Sequence, residues 1–421
     1  MFFIYRFFIN IVFIISPIIF LIRLIKKKED ILRFKEKYCI FSSHKKKGKL
    51  IWFHGASVGE IQSILPIIEI LEKKNDVQQI LITSNTLSSS KIISKLKFKK
   101  TVHQFFPIDT NFLTKKFLDY WRPNAAIFID TEIWPNIINN IKTRKIPLAI
   151  VNGRISKKTF KRWSMFPTFA KEIFNKFDLC ISCSEISRNY FNKLGIKNTK
   201  YFGNLKFSQS DSHKIYLNKK LKKFISKKKV WVASSTHPGE ERICAIVHQN
   251  LKKKYKNLLT IIIPRHVERI PQIQKELTNI DLQIHIHKPN RAIKKETDIY
   301  LVNTYGETKS FFSACKNVFL GGSIIPHGGQ NPLEAARYGC NILHGPHISN
   351  FKDIYTFLEK NKITNRFNNS KKMINILDTF FLKKTKSEII KKKIDNIGKR
   401  ILYLTYKEIN LFIKKNEVKK T

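Results

Sequence analysis

The sequence predicts two α/β domains in tandem, each a doubly wound parallel sheet, preceded by one membrane-anchor helix. Three observations support this fold class. Short apolar runs alternate with longer amphipathic stretches, this rhythm stops at a polar break and then restarts, and residues 7–22 form one apolar segment. Continuous apolar strands separated by helices are typical of parallel sheets buried on both faces.

The apolar segment FFINIVFIISPIIFLI, residues 7–22, is the only candidate membrane segment in the sequence. At about 1.5 Å per residue it falls short of a ~30 Å hydrocarbon core, although Leu24 and Ile25 extend it and Arg23 can snorkel. Because no small-residue cleavage site is present, an uncleaved anchor is favoured over a secretory signal. The basic residues 26–28 then place the body on the cytoplasmic side. A helix that lies in the interface without spanning is the alternative.

The first domain is predicted over residues 29–210, after an anchor and basic flank at 1–28. Stretches with helical spacing, such as 61–73 and 110–121, separate the apolar runs. The runs that we predict as strands are LIWFHG at 50–55, ILIT at 80–83, AAIFID at 125–130, LAIVNG at 148–153 and LCISC at 179–183.

The second domain is predicted over residues 211–421, after the polar break SQSDSHK at 208–214. Its Lys-rich tail after residue 380 is predicted to be helical and to pack back across the domains. Two such domains place the carboxyl ends of their strands, where open α/β sheets bind ligands, on either side of a cleft. The predicted strands are VWVASS at 230–235, LLTIIIP at 258–264, LQIHIH at 282–287, DIYLVN at 298–303 and NVFLGG at 317–322.

Composition excludes several classes of protein. Of 421 residues, 43% are hydrophobic and 26% charged, which fits neither a disordered chain nor a polytopic membrane protein. Lysine and arginine number 79 against 31 acidic residues, a formal net charge of +48. Because the basic residues are mostly lysine and spread along the chain, we interpret them as compositional bias rather than a nucleic-acid surface. The positive field still favours phosphates and anionic membranes.

The six cysteines follow no disulfide spacing, which indicates a reducing compartment. The one Cys-x-x-Cys pair, Cys180 and Cys183, lies in the apolar run FDLCISC, and no second pair completes a zinc site. We therefore predict that these cysteines are structural.

The motif HGASVGE, residues 54–60, follows a predicted strand and precedes an apolar helix. Small residues at this turn, including Ser57 and Gly59, let a ligand approach the backbone, and a helix start offers unpaired N–H groups. Glu60 lies at this entrance as a candidate catalytic residue. The alternative is a first-turn glutamate that only interacts favourably with the helix dipole.

The motif IDTEIWPN, residues 129–136, lies at another strand end. It places Asp130 and Glu132 toward the predicted cleft, while Trp134 and Pro135 begin the next helix. A carboxylate and an indole at the mouth of a cleft suit hydroxyl-rich ligands. A capping role for Asp130 is the alternative.

Three motifs of the second domain also follow predicted strands: SSTHPGEE at 234–241, PRHVER at 264–269 and TYGE at 304–307. His237 and Arg265 would present donors to an anion, because arginine contacts phosphate in a planar, bidentate way. Surface charges in a Lys-rich protein are the alternative for any one motif, but three in succession at strand ends favour a binding site.

The densest motif is GGSIIPHGGQNPLEAA, residues 321–336. Its glycines indicate a loop built for close backbone approach to a phosphate. Asn331, Pro332 and Glu334 are predicted at the N-cap, N1 and N3 positions of a helix, which is a capping-box-like arrangement. The loop lacks the GK[ST] ending of a P-loop and the GxGxxG spacing of a dinucleotide site.

Taken together and in this order, these motifs resemble the 3-deoxy-D-manno-octulosonic acid (Kdo) transferases of lipopolysaccharide synthesis. The resemblance also rests on NGRIS, GNLKF (with Lys206) and GPHISNF at 345–351, and it extends from about residue 50 to residue 351. It implies a GT-B glycosyltransferase with two Rossmann-like domains facing a cleft, an N-terminal acceptor domain and a C-terminal nucleotide-sugar domain.

The resemblance further implies an inverting, metal-independent transfer of Kdo from CMP-Kdo to the lipid A precursor, lipid IVA, at the inner membrane. No cofactor, metal or specific nucleic acid is expected, whereas an anionic membrane surface is an expected partner. Glu60 matches the general base and Glu132 a second catalytic carboxylate; Ser57, Gly59 and Lys206 are assigned to the acceptor or cleft loop. The residues assigned to the donor are His237, Arg265, Tyr305, Gly306, Glu307, Asn331 and Glu334.

This chain departs from the family pattern at four motif positions: Asp130, where glutamate is usual, and His327, Gln330 and Ala335. These departures bear on substrate preference and rate more than on the reaction class. Two other functions remain open from the residues alone. One is a GT-B transferase with another nucleotide-sugar donor, and the other is a basic module that binds anions or nucleic acid on a decayed enzyme fold.

Overall fold

The computed structural model describes residues 1–96, 98–209, 217–287, 293–383 and 386–417. The chain divides into two compact units, Met1–Gln209 with Gly398–Thr421, and Ser210–Ile397. We call them the N-terminal and the C-terminal unit. The predicted polar break lies outside the described residues from 210 onward, so the predicted bounds 1–28, 29–210 and 211–421 stay a prediction.

The sheet of the N-terminal unit contains seven parallel strands within the described residues, in the order β3-β2-β1-β4-β5-β6-β7. The order reverses between β1 and β4, which is the switch point of a doubly wound sheet, where such folds bind ligands. The strands β1 to β7 are Leu50–His54, Gln79–Ser84, Thr101–Phe105, Ala125–Ile129, Leu148–Gly153, Leu179–Ser182 and Thr199–Tyr201.

Eight helices of this unit lie in its described N-terminal part. The helices α1 to α8 are Phe2–Ile25, Val58–Glu72, Leu87–Ser94, Asn111–Trp121, Pro135–Thr143, Lys157–Ser164, Pro167–Phe174 and Glu185–Leu194. The central strands β1, β4 and β5 are buried at every residue, because helices cover both faces of the sheet. Its core includes the fully buried rings of Trp52, Phe117, Trp121 and Phe128.

The C-terminal unit repeats this plan. In its described residues seven parallel strands follow the order β10-β11-β9-β8-β12-β13-β14. The strands β8 to β14 are Lys229–Thr236, Leu258–Pro264, Ile284–Ile286, Ile299–Leu301, Asn317–Leu320, Asn341–His344 and Thr364–Arg366. The helices α9 to α15 are Lys219–Ile225, Glu240–Lys254, Ile270–Thr278, Thr308–Ala314, Leu333–Arg337, Lys352–Lys360 and Ser370–Leu382.

The last helix, α16, runs over Ser387–Glu417, and its residues from Gly398 onward belong to the N-terminal unit. There Lys200 Nζ lies 2.6 Å from Glu408 Oε1. A side chain at Gly203 would overlap Ile401, since an ideal Cβ would lie 2.5 Å from its Cδ1. The segment 398–415 therefore packs closely on the strand β7 region of the N-terminal unit.

The structure confirms the predicted fold class of two doubly wound, Rossmann-like sheets. Four strands were not predicted: β3, β7, β13 and β14. β3 contains histidine and glutamine, β7 contains lysine, and β14 is only three residues long. None of these three strands therefore forms an apolar run. The predicted buried strand around Cys180 is confirmed as β6, and Cys180 and Cys183 are both buried.

Helix α1 contains the whole predicted membrane segment. Its 24 residues make it the one helix, among the described residues, long and apolar enough to cross a membrane. One side of α1 contacts the N-terminal unit, where the Tyr5 hydroxyl donates to Asp109 Oδ2 at 2.7 Å and Arg6 Nε donates to Asn136 Oδ1 at 3.0 Å. The other side leaves large apolar side chains exposed, including Phe3 and Ile14.

Candidate active site

Glu60 lies in the first turn of α2, just beyond the carboxyl end of β1. Ser57 is the N-cap: its hydroxyl accepts the N–H of Glu60 at 3.4 Å and donates to Glu60 Oε1 at 2.6 Å. The N–H of Ala56 donates to the other oxygen, Oε2, at 2.7 Å. This arrangement resembles a capping box, although the carboxylate accepts the N–H of Ala56 rather than that of the N-cap Ser57. It follows from the local spacing of serine and glutamate, so the position of Glu60 is set by the sequence around it.

Burial and the negative charges of Glu132 and Asp130 together raise the pKa of the Glu60 carboxyl to about 7, against the opposing hydrogen bonds from Ser57 and Ala56. A carboxyl with a pKa near neutrality can take a proton from a hydroxyl at physiological pH and release it again. A glutamate that only favoured the helix dipole would not require this environment. Glu60 therefore combines a buried position with a pKa near neutrality.

Glu132 lies after β4, in the segment that leads into α5. Its Oε2 accepts the indole N–H of Trp134 at 2.8 Å and lies 3.4 Å from Nε2 of His54. Burial opposes ionisation of Glu132, but these contacts with His54 and Trp134 outweigh it and hold its pKa below the ordinary value. The two carboxyls thus differ: Glu132 stays ionised at a pH at which Glu60 exchanges its proton.

Asp130 interacts electrostatically with the two glutamates and with the cations Arg154 and Lys206. It follows β4 directly and has φ of 61°, a left-handed conformation that is unusual for a residue with a side chain. Burial raises its pKa, whereas the charges of Arg154 and Lys206 lower it. Asp130 caps no helix in the structure, because Trp134 is the N-cap residue of α5. Its carboxyl instead lies in the electrostatic field of the site.

Lys206 is positioned by two asparagines. Asn204 Oδ1 accepts the N–H of Lys206 at 2.9 Å and caps the short 3-10 helix Leu205–Ser208. Asn152 Oδ1, at the end of β5, accepts the N–H of Leu205 at 2.9 Å. Gly59, in the first turn of α2, faces open space where a side chain would stand. The N-terminal unit therefore brings together the predicted residues Ser57, Gly59, Glu60, Glu132 and Lys206 around the carboxyl ends of β1, β4 and β5.

In the C-terminal unit, His237 lies after β8 within a group of three histidines. Its ring centroid is 4.0 Å from that of His327 and 6.2 Å from that of His266. Burial and the neighbouring His327, His266 and Arg269 together lower the pKa of His237 to about 4. At neutral pH His237 is therefore an uncharged hydrogen-bonding group.

Arg265 and Tyr305 lie on neighbouring loops that follow β9 and β11. The side chain of Arg265 is exposed, while its N–H donates to Thr236 O at 3.0 Å. The Tyr305 hydroxyl donates to Glu268 at 2.9 Å, and Gly306 follows it with φ of 88°. Arg265 thus offers its guanidinium to a ligand, next to the predicted nucleotide loop.

Three other predicted donor residues have local roles. Glu307 Oε2 lies 3.3 Å from Nε2 of the buried His287. Asn331 Oδ1 accepts the N–H of Leu333 at 3.1 Å, and Glu334 is half-buried in α13. The predicted helix start is wrong by one residue: Pro332, not Asn331, is the N-cap position, because the helical conformation begins at Leu333.

The glycine-rich loop is organised by Glu240, a residue that the sequence did not single out. Glu240 is fully buried, and its two oxygens accept the N–H groups of His237, Gly322, Ser323 and Ile324. Gly321 donates to Ser234 O at 2.8 Å. The expectation that this loop offers its backbone to a phosphate is wrong for Gly321 and Gly322, because their N–H groups already bind within the protein.

His54 and Arg154 are further residues of the site that the sequence did not assign. Both stand within quoted motifs, HGASVGE and NGRIS, at the carboxyl ends of β1 and β5. Their position at strand ends could have identified them from the sequence, because ligand-binding residues of parallel sheets concentrate there. Within the described residues, no cluster of three or more His, Cys, Asp and Glu side chains is arranged to hold a metal ion.

The chain is similar in sequence to proteins of one family. Residues 32–209 match the family model described as 3-deoxy-D-manno-octulosonic-acid transferase (kdotransferase). The 3-deoxy-D-manno-octulosonic acid transferase of Rickettsia bellii is 36% identical over 373 residues, which cover 87% of this chain and 88% of the relative. That of Haemophilus influenzae is 28% identical over 312 residues, 73% of each chain.

Among solved structures, the UDP-GlcNAc 2-epimerase from Neisseria meningitidis bound to UDP-GlcNAc superposes with a TM-score of 0.55. The similarity covers 87% of this chain and 100% of the epimerase, at 15% sequence identity. At this level of identity the likeness concerns the fold alone. It agrees with the GT-B type of fold that the sequence predicts.

Proposed function

The chain belongs to the 3-deoxy-D-manno-octulosonic acid (Kdo) transferase family and is a glycosyltransferase; from this premise we propose that it moves Kdo from CMP-Kdo to a glucosamine hydroxyl of the lipid A precursor, lipid IVA. The transfer inverts the anomeric carbon and requires no bound metal. The observation that carries the proposal is Glu60, whose pKa is raised to about 7 beside the ionised Glu132.

In the proposed reaction, Glu60 takes the proton of the acceptor hydroxyl while the hydroxyl oxygen forms its bond to the anomeric carbon of Kdo. The bond from that carbon to the CMP phosphate oxygen breaks, and CMP leaves with the electron pair. Attack from the face opposite to the leaving group inverts the configuration. The raised pKa of Glu60 matches this role, because a general base works best when its pKa lies near the operating pH.

The C-terminal unit is the proposed donor site. The guanidinium of Arg265 offsets the charge that develops on CMP as it leaves, and His237 donates one hydrogen bond to the phosphate. Tyr305, Gly306, Glu307, Asn331 and Glu334 are the other residues that we assign to the nucleotide. Since fixed positive groups meet the leaving charge, the chemistry does not require a divalent cation.

We also assign the protein to the inner membrane, with both units on the cytoplasmic side. The exposed apolar residues of α1 support membrane attachment, and Arg23 with residues 26–28 places positive charge at the cytoplasmic end of the helix. A net charge of +48 suits a partner surface of anionic lipids and a phosphorylated acceptor. The acceptor therefore meets the enzyme at the surface where both reside.

The test is a transfer reaction with purified protein, CMP-Kdo generated in situ and a tetra-acylated lipid A precursor, in the presence of EDTA. The wild type should add the mass of one or more Kdo residues to the lipid. Glu60→Gln should lower the rate by a factor of about 10²–10⁴, which is the usual contribution of a general base. Glu69→Gln is the matched control, because Glu69 lies exposed on the same helix α2.

Absence of transfer by folded wild-type protein would contradict the proposal. Binding of CMP, compared with UDP, would then show whether the donor or the acceptor was assigned wrongly. Loss of transfer on addition of EDTA would contradict metal independence alone.

A further inference from the structure

A chain of hydrogen-bonding groups leads from the core of the N-terminal unit to Glu132. Trp52 Nε1 donates to the hydroxyl oxygen of Thr83 at 2.9 Å, and the same oxygen lies 3.0 Å from Nδ1 of His54. On the other side of the ring, His54 Nε2 lies 3.4 Å from Glu132 Oε2. Thr83 and Trp52 lie on the paired strands β2 and β1, so the sheet itself fixes the start of this chain.

The distances in this chain favour one tautomer of His54. The Trp52 indole can only donate, so it occupies one lone pair of the Thr83 oxygen. The hydroxyl proton of Thr83 then has a near acceptor in His54 Nδ1 at 3.0 Å and a far one in Phe53 O at 3.5 Å. Donation to Nδ1 leaves the ring proton on Nε2, where it faces the carboxylate of Glu132.

The ring of His54 is also fixed by packing. It is fully buried and stacks on Phe106, with ring centroids 3.8 Å apart and an interplanar angle of 21°. Its contact and the hydrogen bond from Trp134 both fall on Oε2 of Glu132. One carboxylate oxygen thus accepts the Trp134 indole N–H and lies within 3.4 Å of His54 Nε2.

We propose that His54, oriented by Thr83, is a positioning residue that fixes the orientation and the negative charge of Glu132 during transfer. The inference rests on the proposed function, in which Glu132 is the second catalytic carboxylate. Other charged groups lie in the same field: the charge of Glu132 raises the pKa of Glu60 and of Asp130, while Arg154 and Lys206 lower the pKa of Asp130. His54 and Trp134 are the two groups that contact Glu132 directly.

The C-terminal unit contains the same arrangement at a place that we do not assign to catalysis. Thr260 Oγ1 lies 2.8 Å from His248 Nδ1, and His248 Nε2 lies 3.4 Å from Asp298 Oδ1. Burial opposes ionisation of Asp298, but its contacts with His248 and Lys252 lower its pKa to about 2. In both units a histidine lies between a threonine hydroxyl and an ionised carboxylate. The group of Thr260, His248 and Asp298 therefore supplies a matched control.

The experiment compares Thr83→Val with Thr260→Val in the full-length protein. Valine has the shape of threonine but cannot donate to Nδ1, so each variant removes the proton that selects the tautomer of its histidine. We expect Thr83→Val to lower kcat by about 10- to 100-fold, the usual cost of misplacing a catalytic group by about 1 Å, with little change in KM for the donor. Thr260→Val should leave kcat unchanged, and Thr83→Ser should restore it.

A second readout does not depend on transfer. In protein labelled with ¹³C at the glutamate carboxyls, the Glu132 signal, assigned with Glu132→Gln, should titrate at higher pH in Thr83→Val than in the wild type. An unchanged titration and an unchanged kcat would overturn the inference. If Glu60→Gln retained activity, the assignment of Glu60 as the general base would be wrong. The titration of the Glu132 carboxyl would still test the role of His54 in that case.

A pair of variants at His54 covers the case that Thr83→Val does not fold. His54→Gln keeps an N–H donor within reach of Glu132, whereas His54→Leu has a similar volume and no donor. The inference requires that Gln preserve the low titration of Glu132 and that Leu raise it. Equal titration of Glu132 in both variants would overturn it.

Discussion

Glu240 Oε2 accepts the backbone N–H of Gly322 at 2.7 Å, which ties the start of α10 to the glycine-rich loop 82 residues further along the chain. The same carboxylate accepts three other backbone N–H groups, including that of His237 at 3.0 Å. A buried negative charge is tolerated here because four donors surround it. One side chain thus fixes both the loop and the histidine assigned to the CMP phosphate.

We predict that Glu240→Gln destabilises the C-terminal unit and weakens CMP binding. The amide NH₂ group would face backbone N–H donors in place of one oxygen, so two hydrogen bonds are replaced by repulsion. The expected loss in the free energy of unfolding is about 2–4 kcal/mol. Urea denaturation and CMP titration measure the two effects. The control Glu296→Gln, at an exposed position, should change stability by less than about 0.5 kcal/mol.

The pH dependence of transfer should report the pKa of Glu60. The base must be deprotonated to accept the hydroxyl proton, so the rate should rise with pH and reach half of its maximum near pH 7. Because the charge of Glu132 contributes to the raised pKa of Glu60, the residual activity of Glu132→Gln should have its acid limb at lower pH. An acid limb near pH 4.5 in the wild type, the ordinary value of a glutamate, would contradict the raised pKa of Glu60.

His237 should bind the donor as a neutral group. Burial and the neighbouring His327 and His266 lower its pKa to about 4, so it is uncharged at pH 6 and at pH 8. We expect His237→Ala to weaken CMP binding about tenfold, or about 1.4 kcal/mol, by the same factor at both pH values. Calorimetric titration measures this, with the exposed His44→Ala as the control. A larger loss at pH 6 would indicate that His237 binds as a cation.

The contact between α1 and the N-terminal unit should stabilise the fold measurably. Asp109 is buried and accepts the Tyr5 hydroxyl together with the N–H groups of Asn136 and Ile137 at the start of α5. Tyr5→Phe should lower the free energy of unfolding by about 1 kcal/mol, and Asp109→Ala by about 2–4 kcal/mol, because helix donors lose their acceptor.

Denaturation in detergent solution measures these losses. The control is Asp119→Ala, which removes an exposed ion pair with Arg144 and should cost at most about 1 kcal/mol. If Tyr5→Phe had the stability of the wild type, α1 would not be docked on the N-terminal unit in solution.

Features that depend on neighbouring residues in the sequence could be predicted from it. The strands β1, β4 and β5 are apolar at nearly every position, since both of their faces are covered, and such runs are visible without knowledge of the fold. The three-residue spacing of Ser57 and Glu60 predicts the first turn of α2 in the same way. The order of the motifs was sufficient to identify the family.

Tertiary structure alone decided which of these residues act together. His54 and Glu132 are 78 positions apart and meet because β1 and β4 pair as neighbours in the sheet, although two strands and three helices separate them in the chain. The pKa of Glu60 depends on burial and on charges that arrive from a different strand. Periodicity and local spacing determine elements, whereas electrostatic environment depends on distances through space, which the chain sets only when it folds.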